Sequence, residues 1–378
     1  MKRDAVVLVN VVMALVLVGV LMVYSAGTVR GYQANSDAMG HTFRYLWGQV
    51  LRVGIGLTLL FLAARFDYHN YRKRKVLWGI GLATIFLLVI VLILGEEVNG
   101  ARRWIRIFGF SIQPSDFARI AVVILLAVKL SENQDLIRSL WRGFVPPLML
   151  AGFFAGLIIL EPDIGTPFVL GCTALTMALM AGAKVWHFIL AIGPAAAIGL
   201  TYIQLNPHAY RRVYSFRNPV EYRLDEGWQL LQSLWAFARG GIFGQGPGAG
   251  QQKLHYLPEA HSDFIFAVLG EEWGLVGTLA VATLFVVFVV IALRIAVCAP
   301  DLLGSLLAGG IATIIALQAA LNMGVTTGLL PTKGLTLPFI SAGGTALIVY
   351  LAMIGVLLNV AGQAVERDPA PKRVAASA

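Results

Sequence analysis

The sequence predicts an all-α, polytopic integral membrane protein with about ten transmembrane helices and a large outer loop between the seventh and eighth. Hydrophobic residues make up 58% of the 378 residues. Charged residues make up only 13%, about half of the share that is usual in soluble domains. The mean hydropathy is +0.77. Such a chain could not cover its own surface in water, so its composition places it in a membrane.

The apolar segments give the number of spans. A helix needs roughly 20 mostly apolar residues to cross a bilayer. Ten segments qualify, and the fourth is short and carries charge: residues 5–24, 43–64, 76–95, 114–130, 144–160, 165–183, 185–205, 273–294, 302–323 and 343–363. They form a single membrane domain over residues 1–378. The large outer loop covers residues 206–272, and residues 364–378 form a short cytoplasmic tail.

The basic loops predict the orientation of the chain. Arg65 and residues 72–75 (RKRK) form the most basic short connection, which indicates the cytoplasmic side. Counting from it, both termini are cytoplasmic, and the loops at 96–113, 161–164, 206–272 and 324–342 face outward. The net charge of +9 does not indicate nucleic-acid binding, because no soluble domain presents the basic residues. Cys172 and Cys298 lie in or beside apolar stretches, and the histidines show no zinc motif, so neither a disulfide nor a metal site is predicted.

Several arginines lie in loops predicted to face outward, against the usual bias. Residues 96–113 carry Arg102, Arg103 and Arg106, and the long loop carries Arg211 and Arg212 among other basic residues. Two interpretations are open. The arginines could contact lipid headgroups. They could also bind an anionic, membrane-anchored substrate, because the guanidinium group bonds two phosphate oxygens at once.

Four carboxylates and one arginine inside or beside the spans are candidates for structure or for chemistry. Asp116 and Arg119 lie three residues apart, so they share a helix face and can pair, either as a structural ion pair or as the lining of a polar cavity. Glu161 and Asp163 flank Pro162, and we expect them to cap the next helix. Asp263 directly precedes the apolar residues 264–266 (FIF). It could be the N-cap of the following helix, or a general base whose pKa is raised by partial desolvation.

The long loop contains two further features. Residues 225–243 place apolar side chains at helical spacing, which predicts an amphipathic helix at the outer interface. A glycine-rich run between residues 240 and 250 follows it. Such a run is typical of a flexible hinge, or of backbone that lies close to a ligand.

Five motifs in order resemble the SEDS family (shape, elongation, division and sporulation), whose members are ten-span peptidoglycan glycosyltransferases. They are residues 99–105 (NGARRWI), 113–119 (QPSDFAR), 161–166 (EPDIGT), 258–266 (PEAHSDFIF) and 328–341 (GLLPTKGLTLPFIS). Residues 97–104, 246–253 and 331–338 are more similar to the division branch of the family than to its elongation branch. The family usually has Glu and Lys where this chain has Asp116 and Arg119, and Thr where it has Ser262.

The resemblance implies a reaction and roles for residues. A growing glycan would pass from its undecaprenyl diphosphate carrier to the 4-hydroxyl of an incoming lipid II sugar, with inversion at the anomeric carbon. Asp263 would be the general base, and Asp116 and Arg119 would shape the floor of the cavity. Candidates for binding the diphosphate are Arg102, Arg103, Arg211, Arg212 and Lys333, of which Arg102 and Lys333 rank highest. His261, Glu259 and Ser341 complete the expected substrate-binding set. A divalent cation, Mg²⁺ or Mn²⁺, could assist the leaving group, although no dedicated ligand cluster is apparent.

The resemblance also implies partners and a location. The expected partners are a class B penicillin-binding protein, which is a transpeptidase, other membrane proteins of the division or elongation machinery, lipid II and membrane lipids. The expected location is the bacterial cytoplasmic membrane, with the active site facing outward. Two alternatives are a flippase for lipid-linked sugars, which needs a polar path through to the inner side, and a non-catalytic scaffold, which does not need Asp263.

Overall fold

The computed structural model describes residues 1–33, 38–98, 101–107, 110–223, 227–254, 256–332 and 334–367. Twelve α-helices and three short strands form within these ranges. The helices are α1 (Lys2–Gln33), α2 (Ala38–Arg65), α3 (Arg74–Leu94), α4 (Pro114–Glu132), α5 (Val145–Ile159), α6 (Gly165–Met180), α7 (Val185–Leu205), α8 (Pro207–Arg217), α9 (Gly227–Gly240), α10 (Ile265–Val297), α11 (Leu302–Thr326) and α12 (Ala346–Arg367). All ten segments predicted to span the membrane are therefore helical.

Eight of these helices are long and apolar enough to cross a membrane: α1, α2, α3, α5 with the π-helical turn before it, α7, α10, α11 and α12. The other two predicted spans differ in distinct ways. Helix α6 is apolar but has only 16 residues. Helix α4 has 19 residues and carries Asp116, Arg119 and Lys129. The fold class is confirmed, and the count of ten spans stays a prediction.

A small antiparallel sheet lies between α3 and α4, where the sequence predicted only a loop. Strands β1 (Glu96–Val98), β2 (Ala101–Ile107) and β3 (Phe110–Ile112) are ordered β1-β2-β3. Glu97 pairs with Arg102 in one ladder, and Arg106 pairs with Ser111 in the other. We call the end of the helix bundle that carries this sheet the hairpin end.

Helices α4 and α11 occupy the centre of the bundle. They pack against each other and against α6 and α12, and most of their side chains are buried. Helix α7 lies at the periphery, with most of its described side chains exposed. The core is therefore built around the most polar of the predicted spans, and the buried polar groups of α4 need partners from other elements.

The segment predicted as the large outer loop is mostly helical. It contains α8, α9 and the first turns of α10, which begins at Ile265 rather than near the predicted residue 273. Gly274 interrupts α10 with φ 66° and ψ −162°. Helix α9 confirms that a helix lies within the predicted residues 225–243, and its place at the outer interface stays a prediction. Trp235, on the predicted apolar face, is exposed in the structure. The buried face of α9 packs mainly against α10.

The end opposite the hairpin end joins the α2–α3 connection to the beginning of α11 and the last turns of α12. His69 lies between Asp67 (2.8 Å) and Asp301 (3.1 Å), and the amide N–H of Tyr68 donates to Asn359 (3.1 Å). Asp4, near the beginning of α1, lies 4.0 Å from Arg294 near the end of α10. The first and last helices therefore begin and end at the same side of the bundle.

Candidate functional site

Four elements that carry the motifs meet at the hairpin end. They are the beginning of α4, the turn between α5 and α6, the segment 256–264 before α10, and the connection between α11 and α12. Residues 334–345 of that connection contact each of the other three elements. We call residues 334–345 the central loop.

Asp263 lies half-buried beside the central loop. A Cβ atom placed on Gly334 would lie 3.3 Å from its carboxylate oxygen Oδ2. The next three residues, Phe264, Ile265 and Phe266, are buried, so the carboxylate stands at the edge of an apolar wall. Helix α10 begins at Ile265 with Phe264 at the N-cap position, which places Asp263 before the cap. Asp263 is therefore not at the N-cap position, and its role as a general base stays a prediction.

Asn322 of α11 holds the backbone at Asp263, and the sequence prediction missed it. Its side-chain amide donates to the carbonyl oxygens of Asp263 (2.8 Å) and Leu335 (2.6 Å). One turn earlier, the amide of Gln318 donates to the carbonyl of Thr336 (3.1 Å). The side-chain amides of Gln318 and Asn322 lie four residues apart, so they share one face of an apolar helix. That pattern is the signal in the sequence, and it is missed when only charged residues are considered.

Ser341 connects the central loop to the segment that precedes Asp263. Its hydroxyl donates to the carbonyl of Ser262 (2.6 Å) and accepts the amide N–H of Leu337 (2.8 Å). The amide of Ala342 donates to the carbonyl of His261 (2.9 Å). The Ser341 hydroxyl therefore has two backbone partners, and its predicted role in binding substrate stays a prediction.

The two remaining predicted residues of this segment lie next to each other. The carboxylate of Glu259 accepts a hydrogen bond from the hydroxyl of Ser262 (2.8 Å) and lies 3.9 Å from the His261 ring. His261 is partly exposed, and the Glu259 side chain is exposed. The structure therefore brings Glu259, His261 and Asp263 together in one loop, as their spacing in the sequence predicts.

Asp116 and Arg119 form the predicted ion pair, at 3.2 Å, and only 2% and 4% of their surfaces are exposed. The hydroxyl of Thr345 donates to Asp116 (2.7 Å), which links the pair to the central loop. Arg119 donates to the hydroxyls of Tyr350 (2.8 Å) and Thr166 (3.0 Å). Its Nε has no partner among the described residues. The pairing is confirmed, and its role in shaping a cavity stays a prediction.

The turn between α5 and α6 gives its two carboxylates different surroundings. Asp163 caps α6 as predicted, because its Oδ1 accepts the amide N–H groups of Gly165 (2.9 Å) and Thr166 (3.2 Å). The capping prediction is wrong for Glu161, which is fully buried, and neither of its carboxyl oxygens has a hydrogen-bond partner in the described part of the chain. Burial, reinforced by the nearby charge of Asp163, raises the pKa of Glu161 to about 8.

The predicted diphosphate-binding residues that the structure describes lie on two elements, β2 and α8. Arg103 donates from Nε to the carbonyl of Glu161 (2.8 Å) and from its terminal nitrogen to the carbonyl of Pro162, so it holds the α5–α6 turn. Arg102 is exposed and pairs with Glu97 at 3.4 Å across the β1–β2 ladder. Arg211 is exposed on α8. The side chain of Arg212 and the whole of Lys333 lie outside the described residues.

The arrangement is therefore a half-buried carboxylate on a backbone that α11 and the central loop hold in place, and the central loop also contacts the buried ion pair. Asp263 can accept a proton, while Arg102 can reach an anion because it is exposed. In the described ranges, no three His, Cys, Asp or Glu side chains lie close enough together to hold a metal ion.

Comparisons with known proteins agree with this architecture. The chain is 41% identical over 343 residues to a probable peptidoglycan glycosyltransferase FtsW of Geobacter sp. strain M18, covering 90% of this chain and 92% of that protein. It is 43% identical over 360 residues to the stage V sporulation protein E of Bacillus subtilis, covering 93% and 95%.

Two solved structures share the fold. The first is a chain of a peptidoglycan synthase complex that coordinates polymerization and crosslinking, with a TM-score of 0.77, 27% identity, and coverage of 94% of this chain and 97% of that one. The second is the rod shape determining protein RodA of Thermus thermophilus, with a TM-score of 0.66, 25% identity and coverage of 96% of each chain. The family model of the FtsW, RodA and SpoVE cell cycle proteins matches residues 5–366. The chain therefore belongs to the FtsW/RodA/SpoVE family of cell cycle proteins.

Proposed function

We propose that this chain is a peptidoglycan glycosyltransferase that polymerises lipid II into glycan strands, with Asp263 as the general base. The names of its relatives support the class of reaction. The observation that carries the role of Asp263 is its position: a half-buried carboxylate ends an apolar wall, and Asn322 fixes its backbone (2.8 Å). A carboxylate held in this way meets the geometric demand on a base, which must stay within hydrogen-bond reach of the hydroxyl that it deprotonates.

The reaction moves one proton and exchanges one bond at carbon. Asp263 accepts the proton of the 4-hydroxyl of the acceptor sugar while that oxygen attacks the anomeric carbon of the donor glycan. The bond from the anomeric carbon to the diphosphate oxygen breaks, and the undecaprenyl diphosphate leaves with the bonding electrons. A single displacement inverts an α-linked donor into a β-linked product, and it needs one base rather than a covalent intermediate.

The negative charge of the leaving diphosphate needs cationic partners. Arg102 is exposed on β2, and Lys333 immediately precedes Gly334, the residue that faces the Asp263 carboxylate. We propose these two residues as diphosphate ligands. Arg103 serves the site indirectly, because two carbonyl groups of the α5–α6 turn already engage its guanidinium group. Mg²⁺ or Mn²⁺ could add charge at the diphosphate, and no step above depends on it.

We also propose an orientation and a setting. The basic connection that includes Arg72 and residues 73–75 lies opposite the hairpin end, so the preference of Lys and Arg for the cytoplasm supports an outward-facing hairpin end. Both lipid-anchored substrates are then within reach of Asp263. The structural neighbour from a peptidoglycan synthase complex supports a class B penicillin-binding protein as partner. The similarity to the division branch supports a role in septal wall synthesis.

The test compares Asp263 variants in a polymerisation assay. The protein is purified with and without its transpeptidase partner, and the polymer formed from labelled lipid II is measured. Asp263→Asn is the matched variant, because it keeps the size of the side chain but cannot accept the proton. We expect wild type to form polymer, and Asp263→Ala and Asp263→Asn to lose at least about 100-fold in rate, within the contribution that is typical of general bases.

Each alternative has its own outcome. Equal rates for wild type and folded Asp263→Asn would remove Asp263 as the base. If no variant forms polymer while the partner is active, the assay moves to transport of labelled lipid II across vesicles, which a flippase would carry out and a scaffold would not.

A further inference from the structure

The glycine-rich segment 240–250 is inserted into a break in α10. Gly274 leaves the helical conformation, and the two amides that follow it take partners from the glycine-rich segment. The amide of Leu275 donates to the carbonyl of Gly241 (2.9 Å), and the amide of Val276 donates to the carbonyl of Ile242 (3.1 Å). Both amides therefore keep an acceptor despite the break in the helix.

On the other side of the break, carbonyl groups of α10 accept hydrogen bonds from the glycine-rich segment. The amide of Gln245 donates to the carbonyl of Glu271 (2.9 Å), and the amide of Gly246 donates to the carbonyl of Glu272 (3.0 Å). Those carbonyls would otherwise accept bonds from the next turn of α10. Four backbone hydrogen bonds therefore join the two segments, and the glycine-rich run is fixed to a helix rather than acting as a free hinge.

The glycines are required by close approach of the two backbones. A Cβ atom on Gly240 would lie 1.9 Å from the carbonyl oxygen of Gly270, and one on Gly244 would lie 2.1 Å from that of Glu272. Neither position could accept a side chain without moving backbone. The glycine-rich run brings backbone close to α10, which the sequence prediction did not foresee.

Side chains then clamp the following residues. The carboxylate of Glu271 accepts the amide N–H groups of Gln251 (2.9 Å) and Gln252 (3.0 Å). The carboxylate of Glu272 accepts the amide of Gly248 (2.9 Å). Lys253 lies 2.6 Å from Glu272 in a buried ion pair, and it also donates to the carbonyl of Gly248 (2.8 Å).

Helix α1 completes this cluster. The hydroxyl of Ser25 donates to Glu272 (2.5 Å) and accepts from Lys253 (2.6 Å). We call Lys253, Glu272 and Ser25 the buried clamp. All three members are buried and bonded to one another, so removing Lys253 or Glu272 leaves the other charge without its ionic partner, which is a costly arrangement in a protein interior.

The buried clamp closes the loop that carries Asp263. Lys253 ends the segment before that loop, and Glu272 lies on the helix that follows it. A loop whose ends are tied together samples fewer conformations than one with free ends. Two further hydrogen bonds hold the first part of the loop: Trp228 of α9 donates to the carbonyl of Tyr256 (2.8 Å), and the amide of Leu257 donates to the carbonyl of Gln252 (3.0 Å).

We propose that Lys253 and Glu272, with Ser25, are positioning residues for Asp263: the buried clamp fixes the loop that holds the base and couples it to α1. This inference rests on the proposed function, since it assigns the base to Asp263. The clamp makes no contact with substrate in this proposal. It acts by keeping the Asp263 carboxylate where the acceptor hydroxyl arrives.

The test uses single and paired variants of the full chain in nanodiscs with its transpeptidase partner. The variants are Lys253→Met, Glu272→Gln, the double variant Lys253→Met/Glu272→Gln, and the mild variant Ser25→Ala. For each one, kcat and KM for lipid II polymerisation, the Tm, and hydrogen exchange of residues 254–264 are measured. The matched control is Arg72→Met. It removes a partly exposed ion pair with Asp301 in the α2–α3 connection, at the end of the bundle opposite the hairpin end.

We expect each single charge variant to lower the Tm and to lower kcat by about 10- to 100-fold with little change in KM, since a small misplacement of a catalytic group costs this much. In the double variant no buried charge lacks its partner, so the Tm should recover. Its kcat should stay low, and exchange at residues 254–264 should stay fast, because the clamp is absent. Ser25→Ala should show the same pattern more weakly, and Arg72→Met should match wild type.

Two outcomes would overturn the proposal. If kcat of the double variant recovers together with its Tm, the pair serves stability alone. If the single variants fold and exchange at residues 254–264 is unchanged, the clamp does not hold the loop. A wild-type protein that forms no polymer would instead count against the proposed function, and the exchange data would still report on the clamp.

Discussion

Glu161→Gln should stabilise the protein at neutral and alkaline pH. The Glu161 carboxyl group is fully buried, and neither oxygen has a partner among the described residues. Its pKa rises from 4.5 to about 8, mainly because burial disfavours the charged form. The unfolded chain releases this proton near pH 4.5, whereas the folded protein keeps it until about pH 8. Folding therefore becomes less favourable as the pH rises through this window and levels off above it.

The size of the effect follows from the same pKa values. At about 1.4 kcal/mol for each pH unit between 4.5 and 8, the loss reaches roughly 5 kcal/mol above pH 8, and relaxation of the surroundings lowers it to about 2–5 kcal/mol. Glutamine has nearly the same shape and cannot ionise. The two proteins should thus be equally stable near pH 4.5 and should differ most above pH 8.

The assay is the Tm of both proteins in one detergent between pH 4.5 and 9, with the exposed residue Glu132 changed to Gln as the control. The difference in Tm between Glu161→Gln and wild type should grow steadily with pH, while Glu132→Gln should follow wild type. Parallel curves for Glu161→Gln and wild type would refute the reasoning, because they would mean that Glu161 is ionised and stabilised in the folded protein.

Two further substitutions test the backbone contacts of the site and of the α10 break. Gly244→Ala should strongly reduce the yield of folded protein in size-exclusion chromatography, because its Cβ would meet a carbonyl oxygen at 2.1 Å. The control is Gly171→Ala on α6, whose Cβ would point into open space, so it should not reduce the yield. Equal yields for the two variants would contradict the insertion of the glycine-rich segment into α10. Ser341→Ala leaves one buried and one partly buried backbone group without their partner, so it should lower stability by about 1–3 kcal/mol and speed hydrogen exchange near Ser262. Unchanged exchange there would show that the hydroxyl does not hold the loop.

Features that depend on neighbours in the chain were predictable. The apolar segments indicated ten helices, and helical spacing indicated the pairing of Asp116 with Arg119 (3.2 Å), because residues three apart share one face. The capping role of Asp163 followed from its place before Gly165 and Thr166. In each case the partner lies within one turn of helix, so the sequence specifies both members of the contact.

The beginning of α10 was placed too late, for a reason that the structure makes clear. Glu271 and Glu272 interrupt the apolar run, so hydropathy alone begins the span after them. In the folded protein both carboxylates are buried, because backbone amides of residues 248–252 and the ammonium group of Lys253 surround them. A charge is tolerated inside a helix when a distant segment supplies its partners.

The partners of the basic residues likewise depend on tertiary structure. In the sequence, Arg102, Arg103 and Lys253 are alike as cations in segments predicted to face outward. Folding gives them different surroundings: Arg102 stays exposed, Arg103 binds the carbonyls of the α5–α6 turn, and Lys253 is buried against Glu272.

The sequence by itself determined the membrane class, the helices, the contacts within one turn and, through ordered motifs, the family. Only the tertiary structure decided which polar groups Asn322, Ser341 and Glu272 hold. It also decided that Glu161 is buried with no hydrogen-bond partner for its carboxyl group in the described part of the chain. The physical reason is the range of the interactions. Hydropathy and helical periodicity act between neighbours in the chain, whereas hydrogen bonds and ion pairs between distant segments depend on how the helices pack.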